Sequence, residues 1–171
     1  MSKSAKKSSS AMVFIKSLIF VILVPGIVVF YIPYEIVASS LDIKFRIGSL
    51  RLTAVFPWLL GISAVLWCVW DFIFKGIGTP APIDPPKKLV VAGLYQVVRN
   101  PMYVGVLLVL SGHVLWFQSF FLLLYAVGLF VVFHLWVVFY EEPALQKKFG
   151  DSYSSYLQKV PRWIPRKSGP S

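Results

Sequence analysis

The sequence predicts an all-α integral membrane bundle of about four transmembrane helices, closed by a C-terminal amphipathic helical segment at the cytoplasmic face. Three observations predict it. Of 171 residues, 57% are hydrophobic and only 14% charged, and the mean hydropathy is +0.74, far from the balance of a soluble domain. Apolar runs at about 12–34, 52–74, 102–117 and 120–140 approach the ~20 residues that a hydrocarbon core requires. The basic residues are also unevenly placed. Fourteen Lys and Arg lie in the stretch through Lys16, between Lys75 and Arg99, and after Tyr140, whereas the first connector has three and the Gln118-Ser119 turn none. By the positive-inside rule both termini then face the cytoplasm.

Taken in order, residues 1–10 are a disordered Lys/Ser tail, and 11–171 form a single membrane domain. The first apolar run is longer than a signal core and is read as an uncleaved span. A mixed polar connector, 35–51, leads to the second span, where Trp58 and Trp70 near the two ends suit an interfacial aromatic belt. Asp71 lies near the end of that span, with Lys75 at helical ion-pair spacing. Four prolines within Pro80–Pro86 forbid a helix and predict an extended strap at the membrane surface. Gly105 and Gly112, seven residues apart, share a face of the third span and predict tight helix packing. The Gln118-Ser119 turn makes the third and fourth spans a hairpin. Pro143 suits the first position of a new helix that leaves the membrane direction. After Gly150-Asp151, residues Tyr153, Tyr156, Leu157 and Val160 fall at helical spacing.

The net charge of +10 is dispersed over tails and loops, which points to anionic lipid and away from nucleic acid. A lone cysteine, Cys68, in an apolar run is a small buried side chain and not a disulfide partner.

Polar chemistry concentrates at Arg99-Asn100-Pro101-Met102-Tyr103 and at Tyr140-Glu141-Glu142-Pro143, about forty residues apart, and the hairpin brings both to one face. Read at the C-terminal end of a helix, Glu141 and Glu142 meet a macrodipole that disfavours each by roughly 0.3–1 kcal/mol. They are solvated, pair with Lys147, Lys148 or Arg99, or bind hydroxyls or a cation. A carboxylate pair can take both hydroxyls of a ribose, and an arginine fork can take an amino-acid carboxylate. Together these are the polar needs of S-adenosylmethionine. His134, seven residues before Glu141, projects from nearly the same helical face, and is either a packing residue or a ligand contact. His113 lies near the other end of the hairpin and is structural. No metal is expected.

The run Gly93-Leu94-Tyr95-Gln96-Val97-Val98-Arg99-Asn100-Pro101-Met102-Tyr103-Val104-Gly105, followed by Glu141-Glu142-Pro143-Ala144-Leu145, Phe149-Gly150-Asp151-Ser152-Tyr153, Tyr156 and Val160-Pro161-Arg162, resembles the isoprenylcysteine carboxyl methyltransferase and phospholipid methyltransferase superfamily. The resemblance covers roughly residues 75–166. It implies a cytosol-facing S-adenosylmethionine pocket formed by 93–105 and 140–166. Tyr95, Arg99, Asn100, Pro101, Tyr103, Gly105, Glu141 and Glu142 would be its cofactor-binding residues, and Arg99, His134 and Glu141 its catalytic ones. It also implies a lipid-like or prenylated methyl acceptor entering from the bilayer, isoprenylcysteine-like or alternatively a phospholipid ethanolamine. Asn100 departs from the family's usual Arg-His-Pro-x-Tyr, although Asn-Pro-Met-Tyr is similar to the phosphatidylethanolamine branch. An NADPH-dependent membrane reductase, whose family carries a similar Arg-x-Pro-x-Tyr, and a non-catalytic membrane protein are the competing expectations.

Overall fold

The computed structural model describes residues 23, 25–39, 41–74, 89 and 91–166. The basic tail, the first half of the first apolar run, the proline strap and Lys75 lie outside the described residues. Among the described residues helices carry the architecture, with one strand-like contact, the antiparallel bridge between Lys44 and Ser119. In chain order these are a π turn at Ile27–Tyr31 running into α1 (Ile32–Ala38), and a 3₁₀ lead at Gly48–Ala54 running into α2 (Val55–Phe74). A short 3₁₀ turn at Gly93–Gln96 precedes the hairpin of α3 (Pro101–Phe117) and α4 (Phe120–Trp136). A second π turn, Val137–Glu141, joins α4 to α5 (Glu142–Phe149), and α6 (Asp151–Lys159) follows.

Proline explains the irregular turns. A proline at position i has no N–H for the carbonyl of i−4, and its ring crowds that carbonyl. For Pro33, Pro57 and Pro143 the carbonyls in question are those of Val29, Thr53 and Phe139. Each falls inside a non-α turn, at Ile27–Tyr31, Gly48–Ala54 and Val137–Glu141 respectively. Opening or tightening one turn lets the helix continue where an α register would clash. Pro143 stands in the first turn of α5, as expected, but α5 continues the run before it without a gap. Phe120–Phe149 is one apolar helical run of 30 residues, and Glu141 and Glu142 sit within it, not at a helix C-terminus. That position removes the macrodipole penalty inferred from the sequence.

Phe120–Phe149 and Gly48–Asp71 are long and apolar enough to cross a membrane. Ile27–Ala38 and Pro101–Phe117 are apolar but shorter. The outward surface is greasy, with Leu59, Leu60, Leu66 and Phe139 among many exposed large side chains, as expected of a surface that meets lipid.

The interior is built on the α2–α3 crossing. A Cβ at Gly61 would press on the Gly105 carbonyl and the Val109 side chain, one at Gly105 on Val65 and the Gly61 carbonyl, and one at Gly112 on the Trp58 ring. The glycine face read from the sequence is thus the face on which the two backbones approach. The Trp58 indole packs against the core and donates to His113 Nδ1 at 3.1 Å. Val29, Val106, Val109 and Leu110 form the core, flanked by Trp58, Val65, Tyr125, Ala126, Leu129 and Phe133. Cys68 is fully buried, as expected.

At the far end of the hairpin Gln118 adopts the left-handed conformation (φ 55°), and the Ser119 hydroxyl accepts from the Leu122 N–H to cap α4. The first connector lies against this turn. Phe45 N–H donates to the Gln118 carbonyl and Phe120 N–H to the Ile43 carbonyl, both at 2.9 Å. Ser119 also donates to Asp42, which is paired with Lys44. Burial works to raise the Asp42 carboxyl, but the bonds from Lys44 and Ser119 win and hold it below its ordinary value.

Candidate functional site at the Arg99 end of the hairpin

The start of α3 and the end of the α4 run meet as the sequence predicts. Arg99 Nη1 donates to Glu142 Oε1 at 2.8 Å. Arg162, twenty residues further on, closes on the same carboxylate as a fork, with Nε to Oε1 at 2.7 Å and Nη2 to Oε2 at 2.8 Å. The Arg99 and Glu142 side chains are 13% and 14% exposed, so the pair is substantially withdrawn from water. Charge-assisted bonds of this kind are stronger than neutral ones. Their effect here is to fix Arg99 and to tie the C-terminal segment to the hairpin.

Glu141 faces a different set of partners. Tyr103 donates to its Oε1 at 2.5 Å and the Trp136 indole to the same oxygen at 3.0 Å. Trp136 and Glu141 are five residues apart, a separation that in an α-helix points side chains to different faces. The π turn between them, with Glu142 N–H bonded to the Val137 carbonyl, brings the two together. Glu141 Oε2 has no bond among the described residues, whereas both oxygens of Glu142 are used.

The C-terminal segment folds back over the motif. Arg99 N–H donates to the Pro161 carbonyl at 2.8 Å, and Asn100 Nδ2 to the Arg162 carbonyl at 3.2 Å. Asn100 thus acts by joining two chain segments at the start of α3, where Pro101 occupies the first turn. Tyr156 Oη donates to the Tyr95 carbonyl at 2.6 Å. Tyr153, Tyr156 and Val160 are buried together against Leu89, Leu145, Phe149 and Leu157. Burial, and then the Glu142 charge, push the Tyr153 hydroxyl up to about 12, so it stays protonated while its oxygen accepts from Arg99. The bond to Glu142 likewise raises Arg162 above its ordinary value.

Two predicted residues stand apart. Gly105 packs against α2, as described above. His134 bonds to Trp163, whose indole donates to His134 Nδ1 at 3.1 Å. Trp163 also meets Phe130 edge to face at 5.4 Å between ring centres, and Tyr103 stacks on Phe133 at 4.6 Å. The result is an aromatic wall beside the Glu141 carboxylate. Arg162, Trp136, Tyr153 and Trp163 are missing from the sequence-derived site. The motif run included Arg162 and Tyr153, but no local pattern showed that either reaches the Arg99–Glu142 pair.

At this site, among the described residues, the buried Arg99 Nε has no hydrogen-bond partner, and the bonds to Glu141 all fall on Oε1. Two arginines share Glu142, leaving an excess positive charge on that side, while Glu141 supplies negative charge on the other. Such an arrangement can hold a ligand with a carboxylate at one end and hydroxyls or a cation at the other. Among the described residues no three His, Cys, Asp or Glu side chains gather as metal ligands.

The chain is similar to an uncharacterized protein of Haemophilus influenzae (strain ATCC 51907 / DSM 11121 / KW20 / Rd), with 36% identity over 63 residues, which are 37% of this chain and 100% of that protein. Residues 50–152, which run from the 3₁₀ lead of α2 through both polar islands into α6, match the phospholipid methyltransferase family. With more than half of its length matched, the chain belongs to the phospholipid methyltransferase family, within the superfamily of membrane methyltransferases that also holds the isoprenylcysteine carboxyl methyltransferases.

Proposed function

We propose that the chain binds S-adenosylmethionine at the Arg99 end of the hairpin and methylates a lipid-like acceptor that reaches the site from the bilayer. In this reading four spans cross the membrane, both termini are cytoplasmic and the site faces the cytosol, in line with the distribution of Lys and Arg. The observation that carries it is the meeting of Arg99, Tyr103, Glu141 and Glu142 at one end of the hairpin, with one carboxylate oxygen and one buried guanidinium N–H still uncommitted.

The residues fit the cofactor with a division of labour that the paired-carboxylate idea lacked. Glu141, through Oε2, receives ribose hydroxyls, and Tyr103 and Trp136 hold its other oxygen in place. Arg99, through Nε, receives the amino-acid carboxylate, and Glu142 with Arg162 holds the guanidinium at the right angle. Asn100, Pro101 and Tyr95 set the backbone of this segment, and Gly105 seats it against α2. Bound there, S-adenosylmethionine supplies an electrophilic methyl group on a sulfonium. The wall of Tyr103, Phe133 and Trp163 keeps water away and offers ring faces to a cation.

For an ionised acceptor such as a prenylcysteine carboxylate no base is needed, and alignment is the main contribution. An ethanolamine acceptor, favoured by the description of the matching family, must first lose a proton. His134 is poorly placed for that task. Its Nδ1 accepts from Trp163, so the neutral ring carries its proton on Nε2 and has no free lone pair there. We assign His134 to positioning Trp163 and keep Glu141 for the ribose hydroxyls.

Incubation of the purified protein with labelled S-adenosylmethionine and native membrane extract, with the labelled lipid identified by mass spectrometry, tests the proposal. A methyl ester supports the prenylcysteine class and an N-methylated headgroup the phospholipid class. No labelled product, together with thermal stabilisation by NADPH and none by S-adenosylhomocysteine, would move the chain to the reductase reading. Stabilisation by neither would support a non-catalytic protein.

A further inference from the structure

The opposite end of the hairpin holds a second polar site that methyl transfer does not use. A cavity of about 480 Å³ opens between the first connector and the Gln118 turn, lined by Arg46, Gly48, Ser49, Arg51, Leu52 and Gln118. It is separated from the Arg99 site by the whole of α3, whose 17 residues span about 25 Å at ~1.5 Å per residue.

Its chemistry is one-sided. Of the three basic residues in the connector, Lys44 is neutralised by Asp42, and Asp42 is held in turn by Ser119 at 2.6 Å. Arg46 and Arg51 have no hydrogen bond or ion pair among the described residues. Arg51 is oriented by Trp116, with its guanidinium carbon 5.8 Å from the ring centre. Gln118 is oriented as well: its Oε1 accepts from the Ile47 N–H at 2.9 Å, which leaves the amide Nε2 to serve as a donor. With the Ser49 hydroxyl, the lining offers two guanidiniums, one amide and one hydroxyl, and no carboxylate. A donor-rich, acceptor-poor cavity with two arginines fits the oxygens of a phosphate.

The surroundings decide which phosphate. The cavity lies where the connector gives way to a 24-residue apolar helical run, and Leu50 and Leu52 beside it are 63% and 58% exposed. An apolar skirt around a phosphate-binding cavity at the mouth of a membrane helix matches a lipid headgroup with its chains running down the protein. We propose that Arg46, Arg51, Ser49 and Gln118 form a binding site for the phosphate of an anionic membrane phospholipid at the end of the bundle opposite the methyl-transfer site. The site fastens the connector and the hairpin turn to that leaflet.

Native mass spectrometry of the full-length protein in neutral detergent, titrated with dioctanoyl phosphatidylglycerol, tests this. The wild type should retain one lipid. The Arg46→Gln/Arg51→Gln variant should weaken that binding at least about tenfold, as expected for loss of two charge-assisted contacts. A control with the same loss of charge, Lys147→Gln/Lys159→Gln, should bind as the wild type does. Equal weakening in the control would reduce the effect to general charge and overturn the proposal, as would unchanged binding in the arginine variant. Two titrations of the wild type keep the test independent of how the variants fold. Dioctanoylglycerol, which lacks the phosphate, should not bind at the same concentrations, and inorganic phosphate should not displace the lipid at equal concentration. Equal binding of the neutral lipid would overturn the phosphate assignment, and displacement by inorganic phosphate would overturn the lipid assignment.

Discussion

Ile27–Tyr31 and Val137–Glu141 are both single π turns, and each is followed at the same distance by a proline, Pro33 and Pro143. Locally they solve the same problem, yet they do different things. In the first turn Ile32 N–H bonds to the Ile27 carbonyl, and the Val28 carbonyl thereby left over is taken by Tyr125 Oη at 2.8 Å. All five side chains, Ile27, Val28, Val29, Phe30 and Tyr31, are apolar or aromatic, and the turn ends as a tie between the first helix and α4. In the second, the same shift of register places Trp136 on Glu141 and turns Glu142 to Arg99 and Arg162. A π turn supplies a rotation. What that rotation is worth depends on which residues it carries, and only the second carries carboxylates.

The contrast can be broken at three points. The largest effect belongs to Glu142→Ala, which leaves Arg99 and Arg162 facing each other without their shared carboxylate. Breaking a fully buried pair costs about 3–5 kcal/mol, and solvent access to Arg162 reduces this to roughly 2 kcal/mol. Thermal unfolding in detergent should show a clear fall in midpoint, with binding of S-adenosylmethionine lost alongside it. Unfolding unchanged from the wild type would mean that the three-residue cluster is solvated.

Restoring an N–H with Pro143→Ala comes next. The turn before it can then close to an α register, which swings Trp136 away from Glu141. Loss of one such hydrogen bond, about 1 kcal/mol, corresponds to roughly fivefold weaker cofactor binding. Pro33→Ala, the same change at the other turn, should leave cofactor binding untouched, and equal effects of the two would erase the distinction. The smallest effect is that of Tyr125→Phe. It removes the bond to the Val28 carbonyl and should lower stability by about 1 kcal/mol without altering cofactor affinity. A change in affinity would mean that the first turn communicates with the site.

Much of this arrangement is legible in the residues. The extent of α3, the Gln118-Ser119 turn, the glycine face at Gly105 and Gly112, and the meeting of Arg99 with the glutamate pair all follow from apolar run length and motif spacing. Other features were not. Pro143 marks the start of α5, but nothing in Val137–Glu141 announces that the register opens there and lets the helix run on. A tryptophan near the end of an apolar run, such as Trp58, has two uses, at an interface or against a neighbouring helix. Only the approach of Gly112 and His113 shows that this one points inward. Arg162 and Trp163 reach Glu142 and His134 through a fold-back of the C-terminal segment after α6, and no periodicity encodes a contact of that kind. The two glutamates look equivalent in sequence and differ because α3 and the C-terminal segment approach them from different sides.

That difference between Glu141 and Glu142 is directly measurable. Equilibrium binding of labelled S-adenosylmethionine to the purified wild type and to Glu141→Gln, read together with the unfolding midpoints of both, addresses it in one experiment. The wild type should bind saturably and the variant at least about tenfold more weakly, as for loss of a charged hydrogen-bond acceptor, at nearly the same midpoint. Equal affinity in the two proteins would contradict the assignment of Glu141, and no binding by the wild type would contradict the cofactor itself.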